Sequence, residues 1–278
     1  MVAGFLLTRH WQDSPQGLRL DFWLSSAQGP LLVSIHQQQT LFFVRSCDCD
    51  RLKQLLSDFH GFTIKPLDLR TFKFEPVSGV YFDSQQQLYR ARDFLTQQGL
   101  ACYEADIRPT ERYLTERFIT AAIDVEASYS HEPLHNVRLQ SGAYQPKFKI
   151  MSFDIESDFE TGALFSIAFV TLEIQKTIMI GNAPSSALIE YVVDEKTLLT
   201  CWIDWVAEID PDIFIGWNVV NFDLRLLQKR AQKLFVDLRI GRNQSLPVWR
   251  KSQTESDHYF VSIPGRVVLD GIDTLKSA

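Results

Sequence analysis

Two acids one residue apart, Asp154 and Glu156, close the run Lys147-Phe-Lys-Ile-Met-Ser-Phe-Asp-Ile-Glu-Ser157. The apolar, β-prone residues of that run (Phe148, Ile150, Phe153, Ile155) make it a strand. Side chains alternate between faces along a strand, so Asp154 and Glu156 share one face while Phe153 and Ile155 share the other. Neighbouring carboxylates repel each other, and burying them without a partner is costly. A hard divalent cation with oxygen ligands removes both difficulties, which points to Mg2+ or Mn2+. On its own, an Asp-x-Glu pair fits an exposed strand edge or a turn as well.

A third acid, Asp223, falls in the first turns of a helix expected from about Val219, next to the apolar Phe222, Leu226 and Leu227. Complementing the helix dipole would explain Asp223 alone. It would not explain Asn218 and Phe222 around it. Between Arg225 and Lys251 lie eight basic residues (Arg225, Lys229, Arg230, Lys233, Arg239, Arg242, Arg250, Lys251) against one acid, Asp237. Such a run is by default a solvated helix face and loop. Beside an acidic metal site it becomes a track for a phosphate backbone.

The elements that must position these residues follow from periodicity. After the acidic strand come strands at 164–172, 177–180 and 188–193, then a helix over 196–209 that turns Leu198, Leu199, Trp202, Trp205, Val206 and Ile209 inward. Asp210-Pro-Asp212 ends it. Residues 213–215 form a short apolar strand of the buried parallel kind, leading to Gly216-Trp217-Asn218. Three strands followed by helix, strand and helix, with acids on the first strand and a later helix, suit a ribonuclease H-like sheet. Topology alone does not license a function.

Ahead of this region, strands are expected at 5–8, 18–24, 30–35 and 41–44, with turns at 13–17 and 25–29. A helix over 50–60 and a strand over 62–67 follow, then a linking stretch between Pro66 and Pro76. Strand 77–82, helix 84–98 and strand 100–105 read as a β-α-β run with its two strands side by side. A helix over 111–120 and strand and loop over 123–140 complete the region. Ser141-Gly-Ala-Tyr-Gln-Pro146 is the best linker, dividing the chain into 1–146 and 147–278. The fold class is therefore α/β (α+β): a β-rich mixed N-terminal domain, then an incomplete ribonuclease H-like domain.

At 278 residues the chain is long enough for two domains, and its 45% hydrophobic and 22% charged content is that of a soluble globular protein. No run approaches the ~20 apolar residues of a membrane helix, and the N-terminus lacks the pattern of a signal peptide. Four cysteines make no disulfide framework, so a reducing cytoplasm is expected. Cys47-Asp-Cys49 has no suitably spaced histidine for zinc, and His131 and His135 lie in a loop. A net charge of −6 argues against a uniformly basic coat.

Phe153-Asp-Ile-Glu156, followed about sixty residues on by Asp210-Pro-Asp-Ile-Phe-Ile-Gly-Trp-Asn-Val-Val-Asn-Phe-Asp223, resembles the first and second proofreading-exonuclease motifs of family B DNA polymerases. The segment from Tyr103 to Ile119 resembles the stretch ahead of the exonuclease in the bacterial polymerase II branch. Gly265-Arg-Val-Val-Leu-Asp-Gly-Ile-Asp273 resembles the strand after the second motif. The likeness covers nearly the whole chain. It implies a 3′-5′ exonuclease acting on the 3′-terminal phosphodiester of single-stranded DNA with Mg2+ or Mn2+ in a two-metal site. Asp154 would bridge two ions, Glu156 would hold the ion on the nucleophile side, and Asp223 would support the second through water. Asn218 and Phe222 would hold the 3′ end, with Arg225 and Lys229 on the phosphates. The implied partners are single-stranded and primer–template DNA, and a sliding clamp reached through a region beyond these residues. The implied location is the bacterial cytoplasm, at the nucleoid, with no membrane.

The resemblance is incomplete. The family's third exonuclease motif, Tyr-x-x-x-Asp, and its polymerase motifs are absent before Ala278, so weak metal binding and little nuclease activity are expected of these residues alone. Two other readings stand beside it. One is a self-contained ribonuclease H-like nuclease whose site is completed by Asp270 or Asp273. The other is a module that binds single-stranded nucleic acid through aromatics of the N-terminal sheet, with Phe42, Phe43, Tyr81 and Phe82 as candidates.

Overall fold

The computed structural model describes residues 1–277. The chain divides into two compact units: Met1–Phe22 with Ser26–Gln145, and Trp23–Ser25 with the chain from Pro146 onward.

The first unit holds β1 (Val2–Ser14), β2 (Gly17–Ser26), β3 (Gly29–Gln38), β4 (Thr40–Arg45), α1 (Cys49–Leu55), β5 (Phe62–Arg70), β6 (Pro76–Phe82), α2 (Gln85–Gln97), α3 (Pro109–Thr115), β7 (Ala122–Val125), β8 (Leu134–His135) and β9 (Leu139–Ser141). One sheet runs β8-β3-β2-β1-β7-β9 and a second runs β4-β6-β5, antiparallel throughout. Behind the second sheet, α2 presents Leu88, Ala91 and Leu95 to Phe42, Val80 and Phe82 in one apolar cluster. Ser84 caps α2 by accepting from the Gln87 amide, and Asp13 takes the Gln85 and Gln86 amides at the same end. Phe42 and Phe82, two of the rings considered for stacking on nucleic acid, are therefore core residues.

Three expectations fail in this unit. The stretch between Pro66 and Pro76 is no linker: β5 continues through Pro66 to Arg70 with a register shift and turns back into β6. Pro66 is tolerated because β5 is an edge strand, where a missing N–H breaks no central ladder. Residues 100–105 form no strand, only a bridge from Tyr103 to Phe43. β6 already has an antiparallel neighbour on each side, so no parallel β-α-β pair can form. Both short helices also end early. α1 passes into a turn at Leu56, where Ser57 and Asp58 are poor helix formers. α3 ends before Phe118, whose φ of 53° is left-handed.

The second unit holds β10 (Ile150–Ser157), β11 (Leu164–Val170), β12 (Gln175–Ile180), β13 (Ile189–Val192), α4 (Glu195–Ile209), β14 (Ile213–Gly216), α5 (Arg225–Lys233), β15 (Val248–Lys251), β16 (Tyr259–Ser262), β17 (Val267–Asp270) and α6 (Gly271–Lys276). Its main sheet runs β13-β12-β11-β10-β14-β17. β10–β11 and β11–β12 are antiparallel, whereas β12–β13, β10–β14 and β14–β17 are parallel. This is the ribonuclease H-like arrangement expected. β15 and β16 form a separate antiparallel hairpin.

The core lies between this sheet and α4. Phe153 meets Trp202 at 5.2 Å and Phe214 at 5.7 Å between ring centroids. Leu198, Leu199, Trp202 and Val206, spaced for one helix face, are all buried there. Asp194 caps α4 on the Thr197 amide at 2.8 Å, and Asp210 ends it in the left-handed conformation. The helix expected from Val219 begins as a wider π-type turn, Val219–Leu224, and becomes α-helical at Arg225.

Candidate functional site

β10 divides its side chains as its alternation requires: Phe153 and Ile155 are buried, Asp154 and Glu156 exposed. Across the ladder, Asp154 lies opposite Ala168 and Glu156 opposite Ser166 on β11, so the acids are flanked by small residues. Beside β10, β14 delivers the chain to Gly216. A Cβ there would meet the Phe153 carbonyl oxygen at 3.0 Å and the Val219 Cβ at 2.9 Å, so only glycine lets the turn pass this close to β10. Asn218 then adopts φ 56°, a conformation that asparagine tolerates better than most residues, and its carbonyl accepts the Phe222 amide at 2.9 Å.

The π-type turn directs Asp223 inward, where it is 1% exposed, while Phe222 stays 46% exposed. The Ile155 amide donates to Asp223 Oδ1 at 3.2 Å. Burial, then the charge of Asp154, push the Asp223 carboxyl up to about 7, and a side-chain hydrogen bond with Asp154 works in the same direction. Hydrogen bonds from the Ile155 amide and from its own amide pull the other way without offsetting them. Two carboxyls thus face each other, one exposed and one buried.

The structure brings Asp154 and Asp223 together. Glu156 shares the face of Asp154, but among the described residues no three His, Cys, Asp or Glu side chains converge as a metal cluster. Asp270, nominated as a completing ligand, has both oxygens occupied by backbone amides. Oδ2 accepts from Val220 and Oδ1 from Ile272, each at 2.9 Å, so it fixes the start of the π-type turn and caps α6.

The basic run does not form one track. Arg230 is buried and paired with Glu195, and Arg242 is buried between Asp210 and Asp212. Arg239 pairs with Asp237. Arg225 packs its guanidinium over the rings of Tyr259 (4.0 Å) and Trp249 (5.4 Å), while Lys229 is exposed. Reading the run as eight similar charges fails because partners distant in sequence bury two of them. Sequence reasoning also passed over Trp217, 65% exposed between Gly216 and Asn218, and Asn221, whose Oδ1 accepts the Tyr259 amide at 2.7 Å. The one available signal for Trp217 was a large aromatic next to a glycine turn.

A ribonuclease H-like sheet with paired carboxyls at one face defines a nuclease-type domain, and its sequence relationships are specific. Residues 100–278 match the exonuclease domain of DNA polymerase family B. Residues 4–39 match the DNA polymerase II N-terminal model, and 41–100 the DNA polymerase II insertion domain. The chain belongs to the family B DNA polymerases and carries their N-terminal and exonuclease portions.

DNA polymerase II of Escherichia coli (strain K12) is 40% identical over 282 residues, covering 99% of this chain and 36% of that protein. A DNA polymerase of Pyrococcus glycovorans is 26% identical over 235 residues, covering 80% of this chain and 27% of its own length. The family B DNA polymerase of the hyperthermophilic archaeon Pyrobaculum calidifontis shares the fold, with a TM-score of 0.79 and 21% identity over 99% of this chain and 37% of that one. The chain thus spans 27–37% of the length of these three relatives. Among the described residues no helix is long and apolar enough to cross a membrane.

Proposed function

We propose that this chain supplies the proofreading 3′-5′ exonuclease of a polymerase II-type DNA-directed DNA polymerase, with 1–146 as its N-terminal domain and 147–278 as its exonuclease domain. The observation that carries the reading is the Asp154–Asp223 pair. A buried carboxyl pushed up to about 7 against a second carboxylate is a site in need of positive charge. The all-oxygen donor set fits a hard divalent ion, and Asp154, Asp223 and Glu156 are the residues that would hold Mg2+ or Mn2+. Such ions supply an activated water and stabilise the leaving oxygen in phosphodiester hydrolysis.

The chain's own residues select and orient the substrate. Phe222, half exposed beside Asp223, offers a ring face to an unpaired terminal base. Asn218, set by its left-handed backbone at the head of the same turn, offers an amide to the terminal sugar. The ring-held Arg225 at the start of α5 and Lys229 one turn further along it supply positive charge. A mispaired end frays more readily than a paired one and so reaches these groups more often, which makes the site a proofreading one. The protein would work on single-stranded and primer–template DNA at the bacterial nucleoid.

Mn2+ binding followed by electron paramagnetic resonance, together with shortening of a 5′-labelled single-stranded oligonucleotide, tests this. Mn2+ binding is expected to be weak and to disappear in Asp154→Ala and Asp223→Ala. Any shortening is expected to proceed from the 3′ end and to be lost in Asp154→Ala. If both variants bind Mn2+ as the parent does, the assignment is wrong.

A further inference from the structure

The turn between β5 and β6 has a composition that neither folding nor the exonuclease site explains. Thr71-Phe-Lys-Phe-Glu75 forms a closed loop: the Thr71 amide donates to the Glu75 carbonyl and the Phe74 amide to the Thr71 carbonyl, both at 2.9 Å. Thr71 Oγ1 accepts the Lys73 and Glu75 amides at 3.2 Å, and Arg70 Nη1 donates to the Phe74 carbonyl at 3.1 Å. On this fixed loop Phe72 is fully exposed and Phe74 is 78% exposed.

Phe74 also sits at φ 61°, where glycine would relieve strain and a phenylalanine gains nothing by burial. Two bare rings on a hydrogen-bonded turn, one of them on strained backbone, are better accounted for by binding than by stability.

The charges around the rings identify the partner. Among the described residues neither Arg70 nor Lys73 has a carboxylate ion pair, while the nearby acid Glu75 is paired with Arg45 at 3.3 Å. Two exposed cations, Arg70 and Lys73, thus flank the rings with no acid bound to them, although the acids Asp68 and Glu75 keep the turn from carrying a net positive charge. Behind it lies a cavity of about 720 Å³ whose lining combines Phe43, Phe72 and Tyr103 with the cation Arg70 and the acids Glu75 and Glu104. Exposed aromatics interleaved with unpaired cations are how single strands are held: bases stack on rings while phosphates meet the charges.

We propose that the β5–β6 tip is a second binding site for single-stranded DNA, with Phe72 and Phe74 as stacking rings and Arg70 and Lys73 as phosphate contacts. It is independent of the exonuclease reading. The residues fall in the part of the chain that matches the polymerase II insertion domain.

The test is fluorescence anisotropy with a short fluorescein-labelled oligodeoxythymidine. It uses EDTA and a Phe222→Ala background, so that the exonuclease site contributes neither hydrolysis nor stacking. Phe72→Ala with Phe74→Gly is expected to weaken binding roughly tenfold or more, while keeping the melting temperature, because glycine suits the turn. Arg70→Gln with Lys73→Gln is expected to weaken binding and flatten its salt dependence. Phe118→Ala, which removes another exposed ring of the same unit, is expected to leave affinity unchanged. The proposal is overturned if the ring variant binds the strand as the parent does. It is also overturned if duplex of equal length binds more tightly than single strand, or if sedimentation shows that the rings hold two copies of the chain together while strand affinity is unaffected.

Discussion

The backbone amide of Ile155 donates to Asp223 Oδ1 at 3.2 Å, tying the second acidic motif to the strand residue that follows Asp154. The bond crosses 68 positions of sequence and couples a carboxyl on a π-type turn to the central strand of a sheet. It holds the buried acid against the exposed one, and that opposition has measurable consequences.

The first concerns pH in the absence of metal. Burial and then the Asp154 charge raise the Asp223 carboxyl from 3.8 to about 7. The folded chain therefore binds this proton more tightly than the unfolded one. That contribution to stability is fully present below the unfolded value and is lost as pH rises through about 7. In EDTA the melting temperature is expected to fall from about pH 5 to about pH 8, and Asp223→Asn should flatten the slope. Added Mn2+ should raise the melting temperature at the upper end in the parent but not in Asp223→Asn. Parallel curves for the two proteins would refute this.

A second pair gives the opposite sign. Burial disfavours the charge on Glu195, but hydrogen bonds from Arg230 and the Leu164 amide, with the Arg230 charge, outweigh it and lower its pKa. This stabilisation is present above the unfolded value of roughly 4.3 and disappears as pH falls through the folded one. Glu195→Gln should thus narrow the difference in denaturant midpoint between neutral and acid pH. An unchanged acid limb would show that the pair contributes nothing to the titration.

A buried ionic cluster predicts a larger loss. Asp210 Oδ1 accepts from Arg242 Nε at 3.0 Å and from Arg266 Nη1 at 2.8 Å, and both arginines are buried. Removing the carboxylate leaves two guanidiniums poorly compensated, so Asp210→Ala should cost about 3 kcal/mol in urea unfolding. Asp210→Gly relieves the left-handed backbone, with φ 48°, but loses the same ion pairs. It should recover only about 1 kcal/mol of that cost. Full recovery would mean that backbone strain, not charge, dominates.

The close passage at Gly216 links packing to the site. An added methyl would press on the Phe153 carbonyl, next to Asp154, at 3.0 Å. Gly216→Ala should destabilise the chain by about 1–3 kcal/mol and weaken Mn2+ binding, without changing any charged residue. Mn2+ affinity equal to the parent's would separate the turn from the metal site.

Much of this was legible along the chain because it depends on near neighbours. Alternation put Asp154 and Glu156 opposite Phe153 and Ile155, and period 3.6 put Leu198, Leu199, Trp202 and Val206 on one helix face. Those patterns were enough for the sheet and its crossover helix, and the polymerase family came from the resemblance of the two acidic motifs and their flanks to those of a known family. Contacts between distant residues decided the rest. Pro66 lies within a strand because that strand is an edge, and residues 100–105 form none because β6 is already flanked on both sides. Arg230 and Arg242 carry the same charge as Lys229 but are buried on acids from elsewhere in the fold. The sequence sets Asp223 beside apolar helix residues but does not fix its solvation. Only the tertiary structure sets Asp223 in a desolvated position on the Ile155 amide, because desolvation depends on the packed surroundings and not on residue type.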